Sequence, residues 1–377
     1  MHLPTRRTAL GTMAALIAQP SLSRDDSLSV VDMLGRTVTL PRAPRRIVLL
    51  EGRDLLTMAL FHPRPAELVV GWAAPERFDS DLLRDSFERS AGHPIVLVGK
   101  QTADTLSLEG ILSLAPDLVI ATAFMAPGGD PQAAVERLAQ FGIPLVFSDS
   151  ASNSPSESRR SPRQGLAAQL RMWGAILGEP ARSEEIIAFV DQRFEAVSRR
   201  LSRAKPVKTY LEIMSLYDEC CWAAGTRIWG ELLIDAGGRS LDGLDAPWTA
   251  KLSTEQLLAQ QPQAYIATGG GYASATRPAI GPGLDPRAGR RGLQRLTERT
   301  GFASLPAIRD RRVHGIWTGL ITVPALNIVF VELAAKWLHP ELCGDLNPAA
   351  TLAEINRRFL SQPLAGPLWA NLDGADP

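Results

Sequence analysis

The feature that most constrains this chain is an internal repeat. Two segments align at an offset of 146 residues: Leu106-Ser-Leu-Glu109-Gly-Ile-Leu-Ser-Leu-Ala-Pro116-Asp-Leu-Val-Ile-Ala-Thr122 and Leu252-Ser-Thr-Glu255-Gln-Leu-Leu-Ala-Gln-Gln-Pro262-Gln-Ala-Tyr-Ile-Ala-Thr268. They agree at eight of seventeen positions, and one copy lies in each half of the 377 residues. Each reads as a serine-capped helix, a proline break and an apolar strand. Ser107 and Ser253 supply the capping oxygen. The spacing is too wide for a solenoid, and a chain of this length has room for two or three domains. Two lobes of the same build, with a ligand cleft between them, are the simplest arrangement.

The rest of the pattern agrees with two α/β blocks. Apolar strands are expected near 46–50, 67–72, 94–98, 117–121 and 144–147, with helices at 53–61, 106–115 and 131–141. The alternation restarts after Lys205-Pro206, with strands at 209–214, 264–268 and 313–317 and helices at 229–236, 254–260, 293–300, 324–338 and 349–360. Continuous apolar strands between helices indicate mainly parallel sheets covered on both faces. Residues 34–40 read as a short hairpin, and the segments 151–163 and 277–290, rich in Ser, Pro, Gly and Arg, read as surface loops. Between the blocks, a helix over 164–177 ends at Gly178. Pro180 then opens a second helix over 180–204, ~36 Å long, with Ile187, Val190, Phe194, Val197 and Leu201 on one face. The expected fold class is therefore α/β, with two similar lobes (30–179 and 205–377) bridged by one long helix.

The first 24 residues read as an export signal rather than as fold. Arg6-Arg7 precedes a short, weakly apolar run, a twin-arginine-like arrangement that a general secretory signal also fits, and cleavage is expected between Ala18 and Asp25. No cysteine lies near that point, so a soluble periplasmic protein without a lipid anchor is expected. Lys plus Arg and Asp plus Glu both number 40, which leaves no basic excess for nucleic acid. Cys220, Cys221 and Cys343 form no CxxC motif. Neighbouring cysteines rarely bridge each other, so a bond from one of them to Cys343 and three free thiols both stay open. His62, His93, His314 and His339 are scattered without ligand spacing, so no bare-metal site is expected; His314 keeps open a contact to haem iron. Gly269-Gly-Gly271 follows a strand but lacks the spacing of a phosphate loop, and no GxSxG or HExxH motif is present. An enzyme is not expected.

The order of several short motifs carries a resemblance. Asp32-Met-Leu-Gly35-Arg36 through Pro44-Arg-Arg-Ile-Val48 opens it; Leu108-Glu109 to Ile120, Gly142-Ile143-Pro144, Ala236-Gly237-Gly238 and Ala335-Lys-Trp-Leu-His-Pro340-Glu341 follow. Over roughly residues 30–370 the chain resembles the periplasmic binding proteins of siderophore and vitamin B12 ABC importers. The resemblance implies a monomer that captures a ferric siderophore between its lobes and hands it to a permease dimer driven by a separate ATPase. It implies no cofactor beyond that ligand, and cobalamin or haem are the alternative ligands. It also implies a docking carboxylate on each lobe, carried by Glu109 and Glu255, the same position in both repeats.

Ligands of open α/β sheets gather beyond the carboxyl ends of the strands. In the first lobe those ends offer Arg53, Trp72, Lys100, Gln101 and Phe124; in the second, Trp222, Arg227, Tyr272 and Trp317. The resemblance adds Trp248, an aromatic shortly before the second docking glutamate. Aromatic faces and a few cations suit a bulky, often anionic chelate, through stacking and charge-assisted hydrogen bonds.

Overall fold

The computed structural model describes residues 27–149, 161–213, 215, 220–244, 246–271 and 277–374. The expected export signal and Tyr272 lie outside the described residues.

The first half begins with a hairpin, β1 (Leu28–Val31) and β2 (Thr37–Leu40). It continues with β3 (Ile47–Leu49), α1 (Asp54–Met58), β4 (Val69–Ala73), α2 (Asp81–Ser90), β5 (Val96–Gly99), α3 (Leu108–Ser113), β6 (Leu118–Thr122), α4 (Pro131–Ala139) and β7 (Leu145–Asp149). Strands β3 to β7 form one parallel sheet in the order β5-β4-β3-β6-β7. Two helices follow, α5 (Pro162–Leu177) and α6 (Pro180–Leu201).

The second half holds β8 (Val207–Glu212), β9 (Trp222–Ala224), α7 (Trp229–Asp235), β10 (Gly238–Arg239), β11 (Thr249–Lys251), α8 (Thr254–Gln260) and β12 (Ala264–Gly269). It ends with α9 (Pro286–Thr297), α10 (Pro306–Arg309), β13 (Val313–Trp317), α11 (Gly319–Thr322), α12 (Asn327–Leu338), α13 (Pro340–Cys343), α14 (Pro348–Arg358) and β14 (Trp369–Asn371). Its sheet runs β11-β9-β8-β12-β13-β14, with β8, β12 and β13 parallel and β9 and β14 antiparallel at the flanks.

The repeat is a repeat in space. Ser107 caps α3 by accepting from Gly110 N at 3.0 Å, and Ser253 caps α8 by accepting from Gln256 N at 3.1 Å. Each helix leads to an interior strand, β6 between β3 and β7, and β12 between β8 and β13. Both strands are buried along their whole length, as strands covered on both faces must be.

Helix α6 is 22 residues, ~33 Å, and buries Ile186, Ile187, Val190, Phe194 and Val197 at helical spacing. Gly178, at φ 74°, turns the chain out of α5, and the two helices then pack closely. A Cβ on Gly174 would lie 1.8 Å from Ser183 Oγ. Arg193 on α6 reaches into the second half, pairing with buried Glu332 at 3.3 Å and with Glu354 at 2.9 Å. Arg182 ties both halves to the helix. Its guanidinium donates to Leu60 O just past α1, to Arg358 O at 3.0 Å and to Phe359 O at 2.9 Å. Those carbonyls are orphans of two helix C-termini, where a cation is favoured. Ser361 N donates to Ala59 O at 2.9 Å and Gln362 Nε2 to Ser90 Oγ at 3.3 Å, so the segment after α14 is fastened to the first half.

Several expectations change. The segment 81–90 is a helix, capped by Ser80 and anchored by buried Leu83 and Phe87. The expected loop at 277–290 already enters α9 at Pro286, after the cap Asp285. The strand expected from 67 starts at Val69, because Pro65 opens a 3-10 turn over Pro65–Leu68. Cys220 and Cys221 are bonded to each other across a cis peptide that brings their Cα atoms to 3.2 Å, and Cys343 is free and buried.

A candidate ligand gap between the lobes

In the first sheet the strand order turns at β3, with β4 and β5 on one side and β6 and β7 on the other. The crevice at such a switch point is where an open α/β sheet binds ligands. The loops leaving β3 and β6 carry Glu51, Arg53 and Phe124. Glu51 is 3 % exposed and accepts from Arg53 Nε at 2.8 Å and from Arg77 Nη1 at 2.5 Å. Burial alone would raise the Glu51 carboxyl, but the two guanidiniums overcome it and hold the pKa at about 2. Arg77 also donates to Gln101 O at 2.5 Å and lies 5.7 Å above the Phe124 ring. Next to Phe124 opens a pocket of about 700 Å³, lined also by Thr102, Asp104, Gly128, Gly129 and Pro131, a size common for small-molecule sites.

The structure thus brings together Arg53, Gln101 and Phe124, and adds Arg77, which the sequence reading missed. Gln101 contributes its backbone carbonyl. Lys100 is exposed beside them, its amide N–H held by Thr105 Oγ1 at 2.8 Å. Two expected contacts are corrected. Trp72 is 2 % exposed and packs 5.9 Å from Phe78, and Trp317 is fully buried with its indole N–H donated to Phe78 O at 3.2 Å. Both rings are buried around Phe78 instead of facing an open gap, Trp317 from across the seam.

In the second lobe, Ile213 N donates to Trp222 O at 3.0 Å, so Trp222 sits beside the carboxyl end of β8, and Lys251 lies 5.6 Å over its ring. Strand β9 runs back from there, antiparallel to β8 and flanked by the edge strand β11. Arg227 and Trp248 are neighbours further along it, joined through Gly225 N to Trp248 O at 2.7 Å and Arg227 N to Pro247 O at 2.8 Å. All three side chains are half-buried.

Charges cross the seam as well. Asp79, after β4, meets Arg277 of the second lobe at 2.9 Å, with both side chains buried. Burial raises the Asp79 carboxyl, against the opposing pull of Arg277, Thr318 and Arg53. Within this cluster three guanidiniums surround two carboxylates. Glu109 and Glu255 are exposed second residues of α3 and α8, each just past a strand's carboxyl end: Ser107 N donates to Val98 O and Leu252 N to Cys221 O. The Glu255 carboxyl is held below its usual range by its own backbone N–H and by Ser253.

His314 is far from the gap. It is the second residue of β13, whose far end is Trp317; its ring stacks on Trp337 at 4.4 Å and its Nδ1 pairs with Asn371 Oδ1 at 2.8 Å. Burial pushes its pKa down to about 4. Among the described residues no group of three or more His, Cys, Asp or Glu side chains is placed to hold a metal ion, and no helix is long and apolar enough to cross a membrane.

The periplasmic binding protein family matches residues 66–316. The chain belongs to that family. This binding protein is 26% identical over 166 residues to the vitamin B12-binding protein of Photorhabdus laumondii, a stretch covering 44% of this chain and 54% of that one. The match thus spans about half the length of the curated relative. A TroA-like periplasmic binding protein, FepB, from Veillonella parvula superposes with a TM-score of 0.76 at 22% identity, covering 92% of this chain and 99% of its own. An ABC-type Fe3+-hydroxamate transport protein from Saccharomonospora viridis gives 0.60 at 18% identity, covering 82% and 98%. At such identity the superpositions establish the two-lobed fold. In this member of the family Gly270 and Gly271 of the triple glycine pack against Asp79, and Gly269 against Pro278 and Ile280.

Proposed function

We propose that this binding protein captures a ferric siderophore in the gap between its lobes and delivers it to a permease–ATPase pair. The observation that carries the reading is the cation-rich crevice at the first sheet's switch point: Arg53 and Arg77 share Glu51, and Arg77 stacks on Phe124 beside an open pocket. Partly desolvated guanidiniums favour an anionic, flat-faced guest, and ferric catecholates are such guests. Trp222 and Trp248 on the second lobe are assigned to the opposite wall. The likeness to an iron-hydroxamate transport protein supports the same ligand class. Cobalamin is the second reading, favoured by the vitamin B12-binding relative. Haem is disfavoured, because His314 is stacked and hydrogen-bonded away from the gap.

Tryptophan fluorescence of the purified protein, titrated with a ferric tris-catecholate, a ferric tris-hydroxamate, cobalamin and haem, tests this. A ferric siderophore is expected to quench at micromolar concentration or below, with Arg77→Ala weakening it at least tenfold. Saturation by cobalamin or haem alone would overturn the assignment. Delivery is assigned to Glu109 and Glu255: reversing both charges to lysine is expected to abolish uptake by cells and leave ligand binding intact. Normal uptake by that double variant removes the docking role.

A further inference from the structure

The turn Pro75–Phe78 carries Arg77 and is bracketed by Ala74 and Asp79, each at φ 53°. Residues with a Cβ seldom occupy this left-handed region, and such backbone persists where the surroundings hold it in place. Here the surroundings belong to the other lobe. The Asp79 carboxylate meets Arg277 Nη1 at 2.9 Å, and Arg277 Nη2 reaches Thr318 Oγ1 at 3.3 Å. The Asp79 carbonyl accepts from Gly271 N at 2.6 Å, the Phe78 carbonyl accepts from Trp317 Nε1 at 3.2 Å, and Ser80 Oγ donates to Pro282 O at 2.9 Å. The socket is shaped to the turn. A Cβ on Gly270 would lie 2.5 Å from the Asp79 carboxylate carbon, and one on Gly271 2.9 Å from the Asp79 carbonyl oxygen. Gly270 and Gly271 thus have a physical reason: the turn approaches the C-terminal lobe's backbone too closely there for a side chain.

We propose that Pro75–Asp79 is a cross-lobe clasp, in which Gly270, Gly271 and Arg277 of the C-terminal lobe position the Arg77 of the N-terminal lobe. Parting the lobes empties the socket, frees the turn to relax and withdraws Arg77 from its place over Phe124. The grip on the ligand is thereby tied to lobe closure, and whatever pries the lobes apart also dismantles one wall of the gap. Arg277 and Gly270 are positioning residues. The role of Arg77 toward a ligand rests on the function proposed above; the clasp itself does not.

Two readouts keep those apart. In the ligand-free full-length protein, hydrogen exchange over residues 75–80 reports the clasp directly. Arg277→Gln and Gly270→Ala are each expected to speed it at least tenfold, with melting temperatures of both sheets little changed. Arg277→Lys, which keeps the charge, is expected to recover part of the protection. Unchanged exchange in both Arg277→Gln and Gly270→Ala overturns the clasp, whatever the protein binds. Stopped-flow dissociation of a ferric tris-catecholate reports the consequence: Arg277→Gln is expected to raise the off-rate at least tenfold while the on-rate stays within a factor of three. Loss of protection at 75–80 with an unchanged off-rate would overturn the positioning of Arg77 and leave the clasp standing as a structural tie. Failure of the catecholate to bind the wild-type protein would remove the ligand assignment alone.

Discussion

Replacing Glu51 with glutamine removes the carboxylate that Arg53 and Arg77 share and leaves two guanidiniums facing an uncharged amide. The cost follows from the titration of that carboxyl. Its pKa is 4.5 in an unfolded chain and about 2 in the native lobe. At about 1.4 kcal/mol per pH unit, ionised Glu51 contributes on the order of 3 kcal/mol at neutral pH. The sign is set by proton counts. Because the native pKa is depressed, the unfolded chain takes up this proton first as pH falls. The contribution is therefore full above about pH 5 and fades as the pH drops through 4.5 toward 2. Glu51→Gln is expected to be about 3 kcal/mol less stable than wild type at pH 7, and the two proteins should converge near pH 2. Urea denaturation followed by tryptophan fluorescence at pH 7, 5, 4, 3 and 2.5 measures the gap, and other carboxylates cancel in the difference. A gap that stays constant down to pH 2.5 would refute the reasoning, since it would place the loss in packing and not in the Arg53–Glu51–Arg77 charge cluster.

Other sites give sharp expectations. Arg299→Ala strands buried Glu212, which Arg299 pairs at 2.7 Å beside the hydroxyls of Tyr210 and Tyr265; a loss of about 3–5 kcal/mol in chemical denaturation is expected, and a loss below 1 kcal/mol would show the cation to be dispensable. Gly174→Ala drives a Cβ into Ser183 Oγ and to 2.9 Å from Glu179 O, so calorimetry should show destabilisation by about 1–3 kcal/mol, with only partial recovery in the Gly174→Ala/Ser183→Ala double variant. Ligand titrations of His314→Phe should match wild type, because that ring is packed on Trp337 away from the gap; a lost haem signal would contradict this.

What the sequence could disclose depended on whether the signal was local. Helix α8 and strand β13 were expected with the bounds they have, because a serine cap, a proline and an apolar run are all written within a dozen residues. The repeat led to the two lobes for the same reason. Strands β9, β11 and β14 are three residues each and exist through antiparallel pairing with distant partners, which leaves little trace in their own sequence. Helix α2 had a visible cap in Ser80, but its apolar face is only Leu83 and Phe87 amid charged residues. At the site, Arg53 and Phe124 follow strands, and the switch-point rule finds them. Arg77 lies in a turn whose position is set by the opposite lobe, so nothing near it in the chain marks it. Trp72 and Trp317 misled for the converse reason. The end of a strand buried on both faces offers an aromatic ring two destinations, and here both rings are buried around Phe78.

The fastening of residues 358–362 onto Ala59, Leu60 and Ser90 has a consequence for how the chain is made. Synthesis delivers the first lobe early, yet a patch of its surface stays bare until residues 358–362 have been made. A chain cut just before Phe359 would lack β14 and leave Arg182 without the Phe359 carbonyl. The segment that follows α14 thus acts as a seal on an edge laid down far earlier in the chain.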